Sequence, residues 1–169
     1  MRGIYFNALK EMCINLSALE KLQKVLSKFG YSENFIIRDN DKIDDSLFLE
    51  ICDELRRGLK LSSEDFYSIY GDYYVSYTYK KYKKLFNIAN NTYEFLLKIS
   101  DFHKKLLNKI NENSSFHFHI QLKDDAIHCK IKPIINTSFT SSLIKSIGRI
   151  YNELPFVEYK DNDTFIIKI

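Results

Sequence analysis

The sequence predicts an α+β fold: a helical N-terminal two-thirds followed by a small antiparallel sheet crossed by one helix. Three observations carry this. Apolar residues recur at helical spacing up to about residue 112 and at a period of two beyond it. With only 2 Pro and 5 Gly in 169 residues, the chain favours long regular elements over loops. The helix-forming run comes first and the strand-forming run last, the order of an α+β chain.

Taken in order, "RGIYFNALKEMCINL" predicts a first helix. Ser17 is placed to cap "ALEKLQKVLSKFG", with Glu20 three residues on as a capping box and Gly30 as its stop. Residues 31–43 make a polar connection. Asp45 or Ser46 begins "LFLEICDELRRGLK", and Ser62 or Ser63 caps "EDFYSIYG", with Asp65 favourable in its first turn. A further helix is expected after Gly71 through "YYVSYTYKKYKKLF". Asn90 and Asn91 then cap the long segment that carries His103. "FHFHIQLK" alternates, with Phe116, Phe118, Ile120 and Leu122 on one face. "AIHCKIKP" alternates after a turn at 124–125, with Ile127, Cys129 and Ile131 inward. Thr137 to Asn152 reads as a helix, and "PFVEYK", "DND" and "TFIIKI" as a second hairpin. No repeat or linker interrupts the chain, so one domain over residues 1–169 is expected.

Composition narrows the function classes. Apolar residues make up 45% of the chain, with 13 Phe, 12 Tyr and no Trp, enough for a sizeable core. The net charge of +3, with lysines and glutamates mixed, describes a solvated surface rather than a nucleic-acid patch. "KKYKKLF" interleaves lysines with aromatics but at the spacing of an amphipathic surface helix. Cys13, Cys52 and Cys129 are odd in number and form no C-x-x-C, which suits a reducing compartment. No run of about 18 apolar residues occurs, and Lys10 and Glu11 interrupt any signal core. A cytoplasmic protein, with neither membrane nor nucleic acid as partner, is expected.

Chemistry is concentrated in "NNTYEFLLKISDFHKKLLNKI". Leu96, Ile99, Leu106, Leu107 and Ile110 lie three, four or seven residues from His103 and share its side of the helix. An imidazole there must find a partner, because an unsatisfied buried polar group costs roughly 1–3 kcal/mol. The residues themselves leave two readings open, a core histidine bonded to a backbone carbonyl or a ligand to a metal or haem iron. Elsewhere, His117, His119 and His128 fall on one strand face. That face also carries Lys130 and Lys132, which repel a cation, so a solvated face is the plainer reading. Asp39, Asp41, Asp44 and Asp45 lack the glycine and terminal glutamate of an EF-hand. Asp53, Glu54, Arg56 and Arg57 read as helix-surface charge. No nucleophile elbow, phosphate-binding loop or zinc-protease motif is present, so no enzyme is expected.

"MRGIYFNALKEM", "GDYYVSYTYKKYKKLF" and "TYEFLLKISDFHKKL", in that order and spacing, resemble the H-NOX family, the haem nitric-oxide/oxygen-binding domains related to the sensor region of soluble guanylate cyclase. The resemblance covers nearly the whole chain. Its most specific piece is E-F-L-x-x-x-x-x-x-H, matched by Glu94, Phe95, Leu96 and His103. It implies haem b as cofactor and His103 as the proximal ligand to iron, a role suited to neutral imidazole. Leu96, Ile99 and Leu107 would be apolar cover for the porphyrin, and Tyr5 and Tyr74 would fall on the distal elements. It further implies a sensor of NO or CO. Gas binding would weaken the iron–His103 bond and free the helix, a change read by a separate protein such as a histidine kinase or cyclic-di-nucleotide enzyme.

The sequence departs from the family in two places. The family's Y-x-S-x-R motif, whose side chains hold the haem propionates, falls at Cys129, Ile131 and Pro133, and occurs nowhere else in the chain. Losing its arginine removes a bidentate partner for carboxylate. Lys130, Lys132 or Arg149 are the remaining cations nearby. The proline that presses on haem in the family is also missing, since "NENSSFHF" holds Ser114 and Ser115 instead. The position of the family's dioxygen-binding tyrosine falls at about Ser138, among Thr137, Thr140, Ser141 and Ser142, which favours NO and CO over dioxygen. These departures motivate a rival reading: an H-NOX-like interaction module, or sensor of another apolar ligand, that has lost haem.

Overall fold

A computed structural model describes the chain except residues 33–34, 111–117, 124–125, 132–134 and 162–163, and describes residues 102–110, 118–119, 131 and 161 by their backbone only. The chain divides into two compact units, Met1–Lys81 and Tyr82–Ile169.

The first unit holds α1 (Gly3–Asn15), α2 (Leu19–Lys28), α3 (Asp45–Leu59) and α4 (Ser63–Lys81). α1 packs on α4 and α2, and α2 on α3. Its core is Phe6, Leu9, Met12, Leu22, Phe48, Leu55, Phe66 and Tyr70, all at most 1% exposed. Asp44 caps α3 by accepting the Leu47 N–H at 2.9 Å, and Ser62 caps α4 by accepting the Asp65 N–H at 3.0 Å. Gly30 ends α2 as expected. At φ 79° it lets the Tyr31 N–H reach the Leu26 carbonyl and its own N–H reach that of Ser27.

Ser17 differs from expectation. It adopts φ 52° and closes α1, its N–H on the Ile14 carbonyl and that of Ala18 on the Cys13 carbonyl, while Ala18 precedes α2 with no side-chain cap. Only residues 16–18 separate α1 from α2, and the C-terminal closure of α1 took the position. Nor does Gly71 separate two helices. α4 runs through it unbroken, with Gly71 buried, since one interior glycine costs only about 1 kcal/mol against alanine. The break falls instead at Tyr82, so "KKYKKLF" is the end of α4 followed by a four-residue α5 (Lys83–Phe86) rather than one surface helix.

The loop before α3 is held by directional bonds. Gly3 and Ile4 donate to the carbonyls of Asp41 and Asp39 at 2.8 and 3.0 Å. A Cβ at Gly3 would lie 2.0 Å from the Arg38 carbonyl oxygen, so only glycine fits there. The nearly buried Asp39 carboxylate accepts from Asn7 Nδ2 at 2.7 Å and from the Tyr77 hydroxyl at 3.1 Å, and pairs with Lys81 Nζ at 2.8 Å. The acidic run is therefore spent on structure, as Asp41 accepts the Arg38 N–H and Asp45 pairs with the terminal ammonium.

In the second unit α5 leads to α6 (Thr92–Ile110), β1 (Phe118–Lys123), β2 (Ala126–Ile131), α7 (Thr137–Ile150), β3 (Phe156–Asp161) and β4 (Thr164–Lys168). The sheet is antiparallel throughout, in the order β1-β2-β4-β3. Among the described residues the only pairing before β1 is an isolated bridge, Arg2–Lys42. One face of the sheet presents Ile120, Ile127, Cys129, Val157, Phe165 and Ile167, onto which Leu96 of α6 and Ile144 of α7 pack. Gln121 pairs with His128, as alternation required. Leu122 belongs to the inward face by period but is 55% exposed, because it stands near the end of an edge strand where neither packed helix covers it. α7 ends at Ile150, two residues short of expectation, where the Tyr151 and Glu153 N–H groups turn back to the Gly148 carbonyl.

Candidate functional site

α6 is built to be rigid at its start. Its first N–H groups have no partner within the helix. Asn91 Oδ1 accepts the Glu94 N–H at 2.8 Å, while Glu94 Oε2 accepts the Asn90 N–H at 3.1 Å, a reciprocal cap. Glu153, 61 residues away, supplies a carboxylate oxygen to the Thr92 N–H at 2.9 Å. Phe95 stacks on Phe86 at 4.8 Å and 8°, and lies tilted against Tyr151 at 6.0 Å. The Tyr151 hydroxyl donates to the Phe86 carbonyl at 2.7 Å. Leu96 is 4% exposed in the sheet core.

The Glu-Phe-Leu triplet thus has a physical reading. Glu94 caps the helix, Phe95 wedges it against α5 and the end of α7, and Leu96 pins it to the sheet. Residue 103 then sits eleven positions into an uninterrupted helix, its backbone set by that base. The side chains of His103 and Leu107 lie outside the described residues. Ile99 is half-buried, one turn before residue 103.

Tyr5 and Tyr74 come together in the first unit. Their rings stack at 4.7 Å and 25°, each half-buried. Desolvation raises both phenols above their ordinary value, that of Tyr74 the more strongly, and their hydroxyls share a hydrogen bond. Tyr70, fully buried beside them, donates to the Tyr5 carbonyl at 2.8 Å. On α7 the Asn136 side chain caps the helix through the Phe139 N–H, and the Thr140 hydroxyl is turned back to the Asn136 carbonyl at 3.1 Å. Thr140, Ser141 and Ser142 are buried, and Ser138 is half-buried.

The propionate positions look different. Cys129 is 0% exposed and faces the sheet core, where burial pushes its thiol up to about 12. A neutral thiol packed there offers nothing to a carboxylate. The Ile131 side chain, Pro133 and Lys132 lie outside the described residues. Lys130 is exposed, and Arg149 donates to Ser146 Oγ at 2.7 Å. At the tyrosine position of Y-x-S-x-R the residue present therefore does not fit a haem propionate. Among the described residues no three His, Cys, Asp or Glu side chains gather as a metal site, and no helix is long and apolar enough to cross a membrane.

Sequence reasoning singled out the Glu-Phe-Leu triplet that secures α6 but missed Glu153, Tyr151 and Phe86. Their local sequence carries no signal, because each acts on α6 from another element.

No curated protein matches the chain. Solved structures do. An H-NOX protein from S. oneidensis in the Fe(II)NO ligation state superposes with a TM-score of 0.82 at 15% identity, covering 99% of this chain and 97% of that one. An oxygen-binding H-NOX domain related to soluble guanylate cyclases gives 0.81 at 16% identity, covering 99% and 94%. An unliganded Fe(II) H-NOX variant from K. algicida gives 0.78 at 18% identity, covering 99% and 96%. At these identities the likeness establishes the H-NOX-like fold. The model of the family described as Haem-NO-binding matches residues 2–128, which include both halves of the α6 motif, and so the chain belongs to the haem-NO-binding family.

Proposed function

We propose that residues 1–169 act as one haem-based gas-sensor domain in which His103 is the sole protein ligand to iron. The observation that carries this is the family match running through α6, whose Glu94, Phe95 and Leu96 fix the helix that bears His103. Haem, if bound, would supply an iron able to take a diatomic gas, and His103 would be the residue that holds it. The chain's own residues hold and aim the His103 imidazole. Ile99 and Leu107 are proposed as apolar cover, with Leu96, which already anchors the helix, as their base. Tyr5 and Tyr74 are proposed on the gas side. The Tyr74 hydroxyl is turned to that of Tyr5 and the Thr140 hydroxyl to a carbonyl, which commits these two donors. That favours NO or CO over dioxygen, which depends more on a donor. Release of α6 would be read by a separate cytoplasmic protein, a histidine kinase or cyclic-di-nucleotide enzyme.

A second reading, a haem-free interaction module or apolar-ligand sensor, is favoured by Cys129, which stands buried where a propionate partner belongs. A haem titration of the purified chain, followed by absorption, separates the two. The sensor reading expects uptake of haem b and a spectral response to NO. No uptake would leave the module. Restoring anchors sharpens the test. Each charge-assisted hydrogen bond contributes roughly 1.5–3 kcal/mol, so Ile131→Ser with Pro133→Arg should tighten haem binding by at least tenfold. Cys129→Tyr, the third member of the motif, would overpack a closed core at a cost of about 1–3 kcal/mol.

A further inference from the structure

We infer that Glu153 is a positioning residue, a latch from the α7–β3 turn that fixes the first turn of α6 and makes it the stationary end of the helix bearing His103. Its role in switching rests on the proposed function; the latch itself does not. Four features support it. The Glu153 carboxylate accepts the Thr92 N–H at 2.9 Å, at the positive end of the helix dipole. Thr92 is 0% exposed and its hydroxyl has no partner, so its N–H is withdrawn from water and the half-buried Glu153 carboxylate is the acceptor that satisfies it. The turn that presents Glu153 is itself rigid. Its N–H bonds the Gly148 carbonyl at 2.9 Å, Asn152 sits at φ 58°, and Pro155 packs so closely on Gly148 that a Cβ there would meet its ring at 2.3 Å. Tyr151, two residues earlier, grips Phe86 and Phe95.

His103 lies eleven residues beyond this latch, roughly 16 Å along the helix axis. A helix held at one end responds to a change at residue 103 by moving beyond the gripped turns, not by sliding as a rod. Glu153 thus sets which part of α6 moves.

Hydrogen exchange on the full chain tests the latch without haem. Glu153→Ala should lower protection of the Thr92–Phe95 amides by at least tenfold, whereas Glu153→Gln, which keeps an acceptor, should hold it near wild type. Unchanged protection in Glu153→Ala would overturn the inference. Should that variant fail to fold, Glu153→Asp, which withdraws the acceptor by one methylene, should give a smaller loss, and no loss would overturn it equally. In haem-loaded protein, NO should lower protection over Ser100–Leu107 and leave Thr92–Phe95 within twofold; loss at Thr92–Phe95 would show that the base moves and defeat the stationary end. The share of protein whose absorption reports loss of the histidine ligand on NO addition should fall in Glu153→Ala and return in Glu153→Gln. A wild-type share in Glu153→Ala would confine Glu153 to structure. If wild type takes up no haem, the sensor reading fails while the exchange comparison still decides the latch.

Discussion

In Met1–Lys81 four helices meet without a strand ladder among the described residues, and buried phenols join the aliphatic and phenylalanine core: Tyr67 and Tyr70 are buried and Tyr5 and Tyr74 stack beside them. In Tyr82–Ile169 the core laid on one face of a four-stranded sheet is built of aliphatic side chains with Phe165 and Cys129, while the buried hydroxyls of Thr140, Ser141, Ser142 and Ser146 lie along α7. A sheet's backbone bonds join its strands edge to edge, and its buried face and hairpin turns set the register, so no directional side-chain contact is needed. Helices satisfy their backbone internally and slide against one another unless side chains specify where they stop. The first unit therefore uses directional contacts, from the Tyr70 hydroxyl to the Tyr5 carbonyl and from Asp39 to Asn7, Tyr77 and Lys81.

The largest expected difference between the units is their response to alkali. In the first unit burial raises Tyr5, Tyr70 and Tyr74, pushes Tyr67 and Cys13 up to about 12, and raises Cys52 strongly. In the second, Cys129 is the described group so raised, to about 12. A thiol or phenol with a raised folded value keeps its proton in the fold and loses it when unfolded, so stability falls as pH climbs from the ordinary value toward the folded one. Amide exchange followed from pH 8 to 12 should show the first unit opening before the second. Simultaneous opening would break the comparison.

Point substitutions sharpen it. Phe165→Ala should cost about 3–5 kcal/mol, as it empties the centre of the sheet core. Tyr70→Phe should cost about 0.5–1.5 kcal/mol with almost no change of volume, because it removes the hydroxyl's bond to a carbonyl that keeps its place in α1. Denaturant unfolding measures both, and a negligible loss for Tyr70→Phe would mean that the phenols are filler rather than register. The smallest effect belongs to Gly58→Ala in α3. Nothing lies within 4 Å of the added Cβ, so helix propensity alone should stabilise by up to about 1 kcal/mol. A measured loss would show that the site is not open.

How much of this was legible in the sequence follows the same division. In the second unit, alternation placed both hairpins and the Gln121–His128 pair, because a two-residue period leaves one answer when one face is buried. In the first, α4 is tyrosine-rich on several sides, so its apolar period is weak and Gly71 looked like a boundary. Ser17 was misread because a serine before a helix and a serine closing the preceding one are the same letters, and only the carbonyl positions of α1 decide between them. Within the candidate site, the base of α6 was legible through Glu94, Phe95 and Leu96, which act locally. Glu153 was not, because its partner lies 61 residues away and nothing near it in sequence points to a helix N-terminus.

The central claim, that α6 carries the iron ligand, is tested most directly by His103→Ala with imidazole added in trans. The other histidines, at 117, 119 and 128, belong to or adjoin the first hairpin, and the thiols are buried, Cys13 and Cys52 in the first unit and Cys129 in the sheet core. The account predicts that the variant folds, shows an altered haem spectrum, and regains the wild-type spectrum when imidazole fills the vacated position. A wild-type haem spectrum in His103→Ala without imidazole would contradict it.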